Sequence, residues 1–217
     1  IQATVVTKPE IIKVTKKIPF PLQNIPNSAK IYLDSSETID ATNPDIVALA
    51  NQLASGKDDL YEVVFTLAKW SKENIEYDLS TLTESVSQKA SWVLENKRGV
   101  CDELTNLFIA MNRALGIPAK FISGVAYTDS VPTEDGFGAH GWAEVYFPGH
   151  GWIPFDVTYG EYGYLDELHI KLKEAVDAIK PSTQYQWLGR DITLATSALE
   201  INTEITERIR KKQDLVE

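Results

Sequence analysis

The sequence has few of the residues that build disulfides and metal centres, with one cysteine and three histidines in 217 residues. A single cysteine excludes an intramolecular disulfide and a cysteine-cluster metal site. His150 and His169 have no ligand-type partner at a usable spacing. No loop has the alternating oxygen ligands of a dedicated calcium site. We therefore expect no metal ion and no cofactor.

Positive charge is also scarce, because 21 Lys and Arg residues face 31 Asp and Glu residues, for a net charge of −10. This balance argues against nucleic acid or an anionic membrane as a partner. No apolar run approaches the ~18 residues of a membrane span, and no signal-peptide pattern opens the chain. We expect no nucleic-acid binding and no direct membrane contact from this segment.

The sequence is otherwise that of a folded protein, with 43% hydrophobic and 24% charged residues. Residues 1–40 are rich in β-branched side chains and interrupted by prolines, which predicts a β-containing N-terminal arm. Residues 41–180 are predicted to form the core. Residues 181–217 are predicted to form one or two closing strands and a charged tail that pack on the core or extend it.

Hydrophobic spacing predicts four helices in the first half of the core, starting after Asn43-Pro44, near Leu60, near Ser87 and at Cys101. The next segments predict three strands, and a final helix is predicted from Leu165 to Ile179. Helices followed by an antiparallel meander indicate an α+β fold. The predicted strands cover residues 119–127, 140–147 and 152–158.

Cys101 stands at a predicted helix N-terminus, where unpaired amides favour a thiolate. His140 and Asp156 lie on two consecutive predicted strands, which a meander could bring side by side as base and orienting acid. Spacing alone leaves open a structural cysteine and a packed histidine, because such triads are recognised by geometry.

Three local motifs narrow this choice, and together they resemble the transglutaminase-like superfamily. They occur in the order of that family and with tight spacing, and Ile75-Glu76-Tyr77-Asp78 upstream also fits it. The resemblance covers roughly residues 45–160. The motifs are Arg98-Gly99-Val100-Cys101-Asp102-Glu103-Leu104, Ala139-His140-Gly141-Trp142-Ala143-Glu144-Val145-Tyr146 and Gly151-Trp152-Ile153-Pro154-Phe155-Asp156-Val157-Thr158.

The resemblance implies a papain-like core with the catalytic triad Cys101, His140 and Asp156. It implies that the thiolate attacks the carbonyl of a protein or peptide amide and that the resulting thioester passes its acyl group to an amine or to water. Members include protein crosslinking enzymes, cysteine proteases, amidases and inactive relatives. The backbone N–H of Cys101 is the first expected oxyanion donor. The sequence does not identify a second, although Gln88 and Trp92 lie upstream with side-chain N–H groups and Trp92 fits the core at least as well.

Two other functions remain open at this stage. One is an inactive binding or scaffold domain of a larger surface protein, against which the intact triad argues. The other is acyl transfer from a thioester donor, as in arylamine acetyltransferases, which the segment before Cys101 resembles only loosely. The first residue, Ile1, fits an excised extracytoplasmic or cell-surface domain, with a trimmed cytoplasmic enzyme as the alternative. The oligomeric state is open.

Further expectations concern residues close to the triad. We expect His140 to form an ion pair with the Cys101 thiolate and so to lower the pKa of the thiol. Asp102 would cap the helix or be solvated, and Glu144 would be a solvated strand carboxylate. The polar loop over residues 128–138 would border the cleft and help to select the acyl donor.

Overall fold

A computed structural model describes residues 5–8, 11–81, 87–128 and 136–178 of the chain. Along the chain, the helices come first and the strands of the main sheet follow them. The helices are α1 (Asn27–Lys30), α2 (Pro44–Ala54), α3 (Leu60–Asn74), α4 (Ala90–Asn96) and α5 (Cys101–Ala114). The strands are β1 (Glu76–Tyr77), β2 (Arg98–Gly99), β3 (Ala119–Tyr127), β4 (Phe137–Phe147), β5 (Gly151–Asp156), β6 (Glu161–Tyr162) and β7 (His169–Ala175).

The helices α2 and α3 begin where their capping residues predict. The side chain of Asn43 accepts hydrogen bonds from the backbone N–H groups of Asp45 and Ile46, at 3.0 and 3.3 Å. Asp59 does the same for Tyr61 at 3.0 Å. These bonds satisfy amides that have no partner within the helix, so both starts are set by local sequence.

The main sheet is antiparallel and has the strand order β6-β5-β4-β3-β7. In the register, Gly124 of β3 lies opposite His140 of β4, and Ala143 of β4 lies opposite Phe155 of β5. A second, parallel pair of short strands sets Tyr77 of β1 opposite Gly99 of β2, two residues before α5. The meander predicted from the sequence is therefore present.

The helix α5 is almost completely buried between the other helices and the sheet. Its inner residues Leu107 and Phe108 join the core with Ala143, Val145 and Phe155 of the sheet. This packing of helices on an antiparallel sheet confirms the predicted α+β, papain-like architecture.

The end of α5 is tied to the sheet by one arginine. Arg113 is 4% exposed and donates to the backbone carbonyls of Ala119 and Val176. It also donates to the carbonyl of Asp34 at 2.7 Å. Burial lowers the pKa of Arg113 to about 10, and the guanidinium stays charged at neutral pH because that value is still high. Arg113 thus links α5 to three other parts of the chain: the segment before α2, the start of β3 and the residues after β7.

The helix predicted from Leu165 to Ile179 is wrong over the described residues, because His169–Ala175 form β7. The leucine spacing is helical, but β3 is buried on both faces. Its backbone groups on the edge away from β4 therefore need hydrogen-bond partners, and β7 supplies them. Pairing with β3 overrides local propensity. The register shifts at Gly124, where a Cβ would lie 2.2 Å from the carbonyl oxygen of Ile170 in β7.

The N-terminal arm, residues 1–40, has little β structure in its described part. Among its described residues the only β-type pairing is an isolated bridge between Pro19 and Asp59. The arm also contains the short helix α1, and it packs on the core through Ile18 and Ile39. Residues 181–217, predicted to hold strands and a tail, lie outside the described residues. No helix in the described part of the chain is long and apolar enough to cross a membrane.

Candidate active site

Cys101 is the first residue of α5, directly after β2, and its side chain is half-buried. The turn that carries it is held by the buried side chain of Glu103. The Oε2 atom of Glu103 accepts hydrogen bonds from the Val100 N–H at 2.8 Å and from the Thr81 hydroxyl at 2.9 Å. Its Oε1 atom accepts the Gln88 N–H at 3.1 Å. Glu103 supplies the glutamate half of a capping box, but Val100 has no side-chain oxygen for the other half, so the sequence pattern is incomplete.

His140 on β4 and Asp156 at the end of β5 are joined by a buried hydrogen bond. The Nε2 atom of His140 lies 2.6 Å from Oδ2 of Asp156, and their side chains are 5% and 0% exposed. The other carboxylate oxygen of Asp156 accepts the N–H groups of Thr158 and Tyr159, at 2.7 and 2.9 Å. Burial alone would raise the pKa of Asp156, but these hydrogen bonds outweigh it and hold that pKa well below its usual value. Asp156 is therefore an anion that orients the imidazole.

Gly141 connects the start of α5 to the histidine strand. Its carbonyl accepts a hydrogen bond from the Thr105 hydroxyl at 3.2 Å. A Cβ on Gly141 would lie 2.5 Å from both Asp102 Oδ1 and the Phe121 ring. Only glycine permits this close approach, which brings the first turn of α5 against the residue after His140.

The electrostatics of the thiol differ from expectation. Burial raises the pKa of Cys101, and the carboxylates of Asp102 and Asp156 raise it further, whereas a hydrogen bond from the backbone of Gly141 lowers it. The Oδ1 atom of Asp102 is 3.7 Å from the sulfur. The expectation of a lowered thiol pKa is therefore wrong for this arrangement.

Asp102 is neither a cap nor a solvated side chain, as the sequence suggested. Burial raises the pKa of its carboxyl group, while the hydrogen bond from the thiol of Cys101 lowers it in part. The capping carboxylate of this turn is Glu103. Asp102 therefore acts on the thiol, and sequence alone did not reveal that both groups are desolvated together.

Two residues that sequence reasoning missed also contact the His140–Asp156 pair. The Tyr159 ring stacks on the His140 imidazole, with 4.7 Å between centroids and an angle of 15°. The Tyr159 hydroxyl donates to the carbonyl of Tyr127 at 3.1 Å. The second missed residue is His169, whose Nε2 atom lies 3.1 Å from Oδ2 of Asp156. Tyr159 follows Asp156 by one turn and could have been found, whereas β7 brings His169 from a segment predicted to be helical.

In the structure, His169 lies next to residues of the types that bind metal ions, which the sequence spacing did not indicate. Ligand atoms of His140, Asp156 and His169 all lie within 4.8 Å of one another. The two nitrogen–oxygen distances, 2.6 and 3.1 Å, are those of hydrogen bonds. The absence of a metal stays a prediction.

The remaining candidates have packing roles. Trp92 packs against the core, and Arg98 lies over its ring at 5.9 Å. Glu144 is not solvated as expected, since it is paired with Lys120 at 3.0 Å and with Lys171 at 2.8 Å. The loop predicted over residues 128–138 is described only at its ends.

The known proteins that this chain resembles share its central region. The sequence model of the transglutaminase-like superfamily matches residues 47–157. The uncharacterized protein YebA of Bacillus subtilis is 28% identical over 127 residues, which cover 52% of this chain and 17% of that protein. Protein-glutamine gamma-glutamyltransferase of Pseudomonas aeruginosa is 26% identical over 123 residues, or 54% of this chain and 18% of that protein.

The crystal structure of a candidate cysteine protease from Cytophaga hutchinsonii shows the same fold. It superposes with a TM-score of 0.61 at 24% identity and covers 76% of this chain and 52% of that one. The chain spans less than a fifth of the two curated relatives above. The matched region holds Cys101, His140 and Asp156 and extends over half of the sequence, so the chain belongs to the transglutaminase-like superfamily.

Proposed function

We propose that this protein is a cysteine enzyme that forms a thioester with a protein or peptide carboxamide and transfers the acyl group to an amine or to water. The observation that carries the proposal is the buried 2.6 Å bond from His140 to Asp156, beside the helix turn that holds the only cysteine. A relative named as a glutamine gamma-glutamyltransferase and a candidate cysteine protease of the same fold support this reaction class.

The raised pKa of the thiol gives His140 the role of general base in the first step. Because Nε2 of His140 is bound to Asp156, Nδ1 is the nitrogen that takes the proton from the Cys101 sulfur. The sulfur attacks the carbonyl carbon, and His140 passes the proton to the nitrogen that leaves as ammonia or an amine. The product is a thioester on Cys101.

The second step reverses these roles. An amine or a water molecule loses a proton to Nδ1 of His140 and attacks the thioester carbon, and the sulfur departs and regains the proton. The backbone N–H of Cys101 is at a helix start, where it needs no helical partner, so it can donate to the oxyanion in both steps. Asp156 holds the ring through both transfers.

The test is to measure incorporation of a fluorescent amine into a glutamine-rich protein, together with ammonia release and peptide cleavage. We expect Cys101→Ala and His140→Ala each to lower kcat/KM by about a thousandfold or more, as losses of triad members do in other enzymes. His150→Ala is the matched control, because His150 is exposed in the turn after β4.

Full activity in Cys101→Ala would contradict the proposal, and so would a loss as large in His150→Ala. Circular dichroism must show that each variant is folded. A thiol alkylation rate that is the same in the wild type and in His140→Ala would instead favour the scaffold domain. That alternative is favoured by one observation, the carboxylate of Asp102 beside the thiol.

A further inference from the structure

Asp156 has a second histidine partner besides His140. Both Nε2 atoms approach the same oxygen, Oδ2, from His140 at 2.6 Å and from His169 at 3.1 Å. The His169 side chain is 1% exposed, so no solvent competes for these contacts. The two imidazole centroids are 5.6 Å apart. Asp156 thus bridges two rings that come from different strands.

The second nitrogen of His169 also faces a carboxylate. Its Nδ1 atom lies 2.7 Å from Oδ1 of Asp166 and 3.8 Å from Oε2 of Glu161. A neutral imidazole has one N–H, whereas a protonated ring donates from both nitrogens. Since acceptors stand at both ends of the ring, the geometry fits the imidazolium.

The surroundings of His169 favour the same state. Burial opposes the charge, but the hydrogen bonds to Asp156 and Asp166 and the nearby Glu161 outweigh it and raise the pKa of His169. The other groups against the ring are His140, Trp142 and Tyr159, with centroids 5.4–5.6 Å away. These contacts favour a positively charged ring buried directly against Asp156.

We propose that His169 is a positioning residue of the active site, an imidazolium between Asp156 and Asp166 that orients Asp156 for His140 and sets the acidic limit of thiol reactivity. This inference rests on the proposed function of Cys101 and His140. A positive charge beside the pair opposes uptake of a second proton by His140. Reactivity therefore persists to lower pH than it would beside a neutral residue.

The first experiment uses the wild-type protein and needs no activity. Nitrogen-15 NMR of the three histidines reports how many ring nitrogens carry a proton. We expect His169 to have both nitrogens protonated at pH 7, where a histidine with the ordinary pKa of ~6.5 would be mostly neutral. His169→Gln assigns the signal. A neutral His169 ring at pH 7 would overturn the proposal, even if the protein proves to be an active enzyme.

The second experiment measures the rate of iodoacetamide alkylation against pH, which reports Cys101 alone because there is no other thiol. Gln at position 169 keeps a donor for Asp156 but lacks the charge. We expect His169→Gln to move the acid side of the profile up by about one pH unit, the usual scale for a neighbouring charge. Asp166→Asn should shift it in the same direction by less, because His169 then loses its second carboxylate.

Leu172→Ala is the matched control, since Leu172 is on the same strand and 54% exposed. Its profile should equal that of the wild type. An unchanged profile in His169→Gln would overturn the proposal. A shift of the wild-type profile by excess EDTA would also overturn it, because a bound metal ion would then explain the effect. If His169→Gln does not fold, Asp166→Asn decides, since the Asp166 side chain is 35% exposed and tolerates replacement more easily.

Discussion

Two carboxylates of the candidate active site, Asp156 and Asp102, have different electrostatic effects on their neighbours. Asp156 accepts four hydrogen bonds, two of them from the rings of His140 and His169, and so orients the His140 imidazole. Asp102 lies 3.7 Å from the sulfur and opposes negative charge on Cys101. Burial and the two carboxylates favour the protonated thiol, which is why the proposed mechanism assigns proton transfer from Cys101 to His140.

The replacement Asp102→Asn should increase the reactivity of Cys101. The amide keeps the shape of the carboxyl group and its packing on Gly141 but removes a negative charge, so the pKa of the thiol falls. A shift of one unit would raise the rate of alkylation at neutral pH about tenfold. Stopped-flow alkylation of the wild type and the variant measures this change. An equal or slower rate in the variant would show that Asp102 does not restrain the thiol.

The connection between β3 and β4 links the active site to the loop over residues 128–138. At its base, the Thr128 N–H donates to the Gly136 carbonyl at 2.7 Å. Gly136 has a φ of 76° and lies against the Tyr127 ring. The Tyr127 carbonyl accepts the hydroxyl of Tyr159, whose ring stacks on His140. Tyr127 and Tyr159 thus connect the base of the loop to the imidazole of His140.

We propose that this loop contacts the acyl donor. Replacing residues 129–135 with a two-residue turn should lower kcat/KM on a protein substrate several-fold and leave alkylation by iodoacetamide unchanged, because only the larger substrate loses contacts. Both rates are measured on the same preparation. Equal losses would mean that the loop supports the strand of His140, and no loss in either would remove it from the site.

The buried ion network also affects the stability of the whole molecule. The lowered pKa of Asp156 means that its contribution is present above ~3.9 and is lost as pH falls through the folded value. The raised pKa of His169 means that its contribution is present below ~6.5 and is lost as pH rises through the folded value. The network therefore stabilises the fold most between these two limits.

We expect His169→Gln to lower the free energy of unfolding at mildly acidic pH by about 1–3 kcal/mol, the scale for a lost buried hydrogen bond to a charged group. The difference from the wild type should shrink as pH rises, since the wild-type ring then loses its proton. Urea denaturation at a series of pH values measures both effects. A difference that stays constant with pH would mean that the charge of His169 does not stabilise the fold.

Local sequence determined much of this protein. The cap at Asn43 and the regular apolar spacing from Leu60 gave two helix starts that the structure confirms, because these signals act over short stretches of chain. The motifs around Cys101, His140 and Asp156 indicated the family, and two of these residues, His140 and Asp156, are in contact in the structure. The strand predicted over residues 119–127 is β3, with the same bounds.

The tertiary structure decided what depends on distant partners. The segment of β7 has helical spacing but pairs with β3, because the backbone N–H and C=O groups of a buried strand need hydrogen-bond partners on both edges. That pairing brings His169 to Asp156, and the packing of α5 on Gly141 buries Asp102 beside the thiol. Burial and charge proximity are properties of the assembled chain, so the protonation states of this site could not be predicted from spacing.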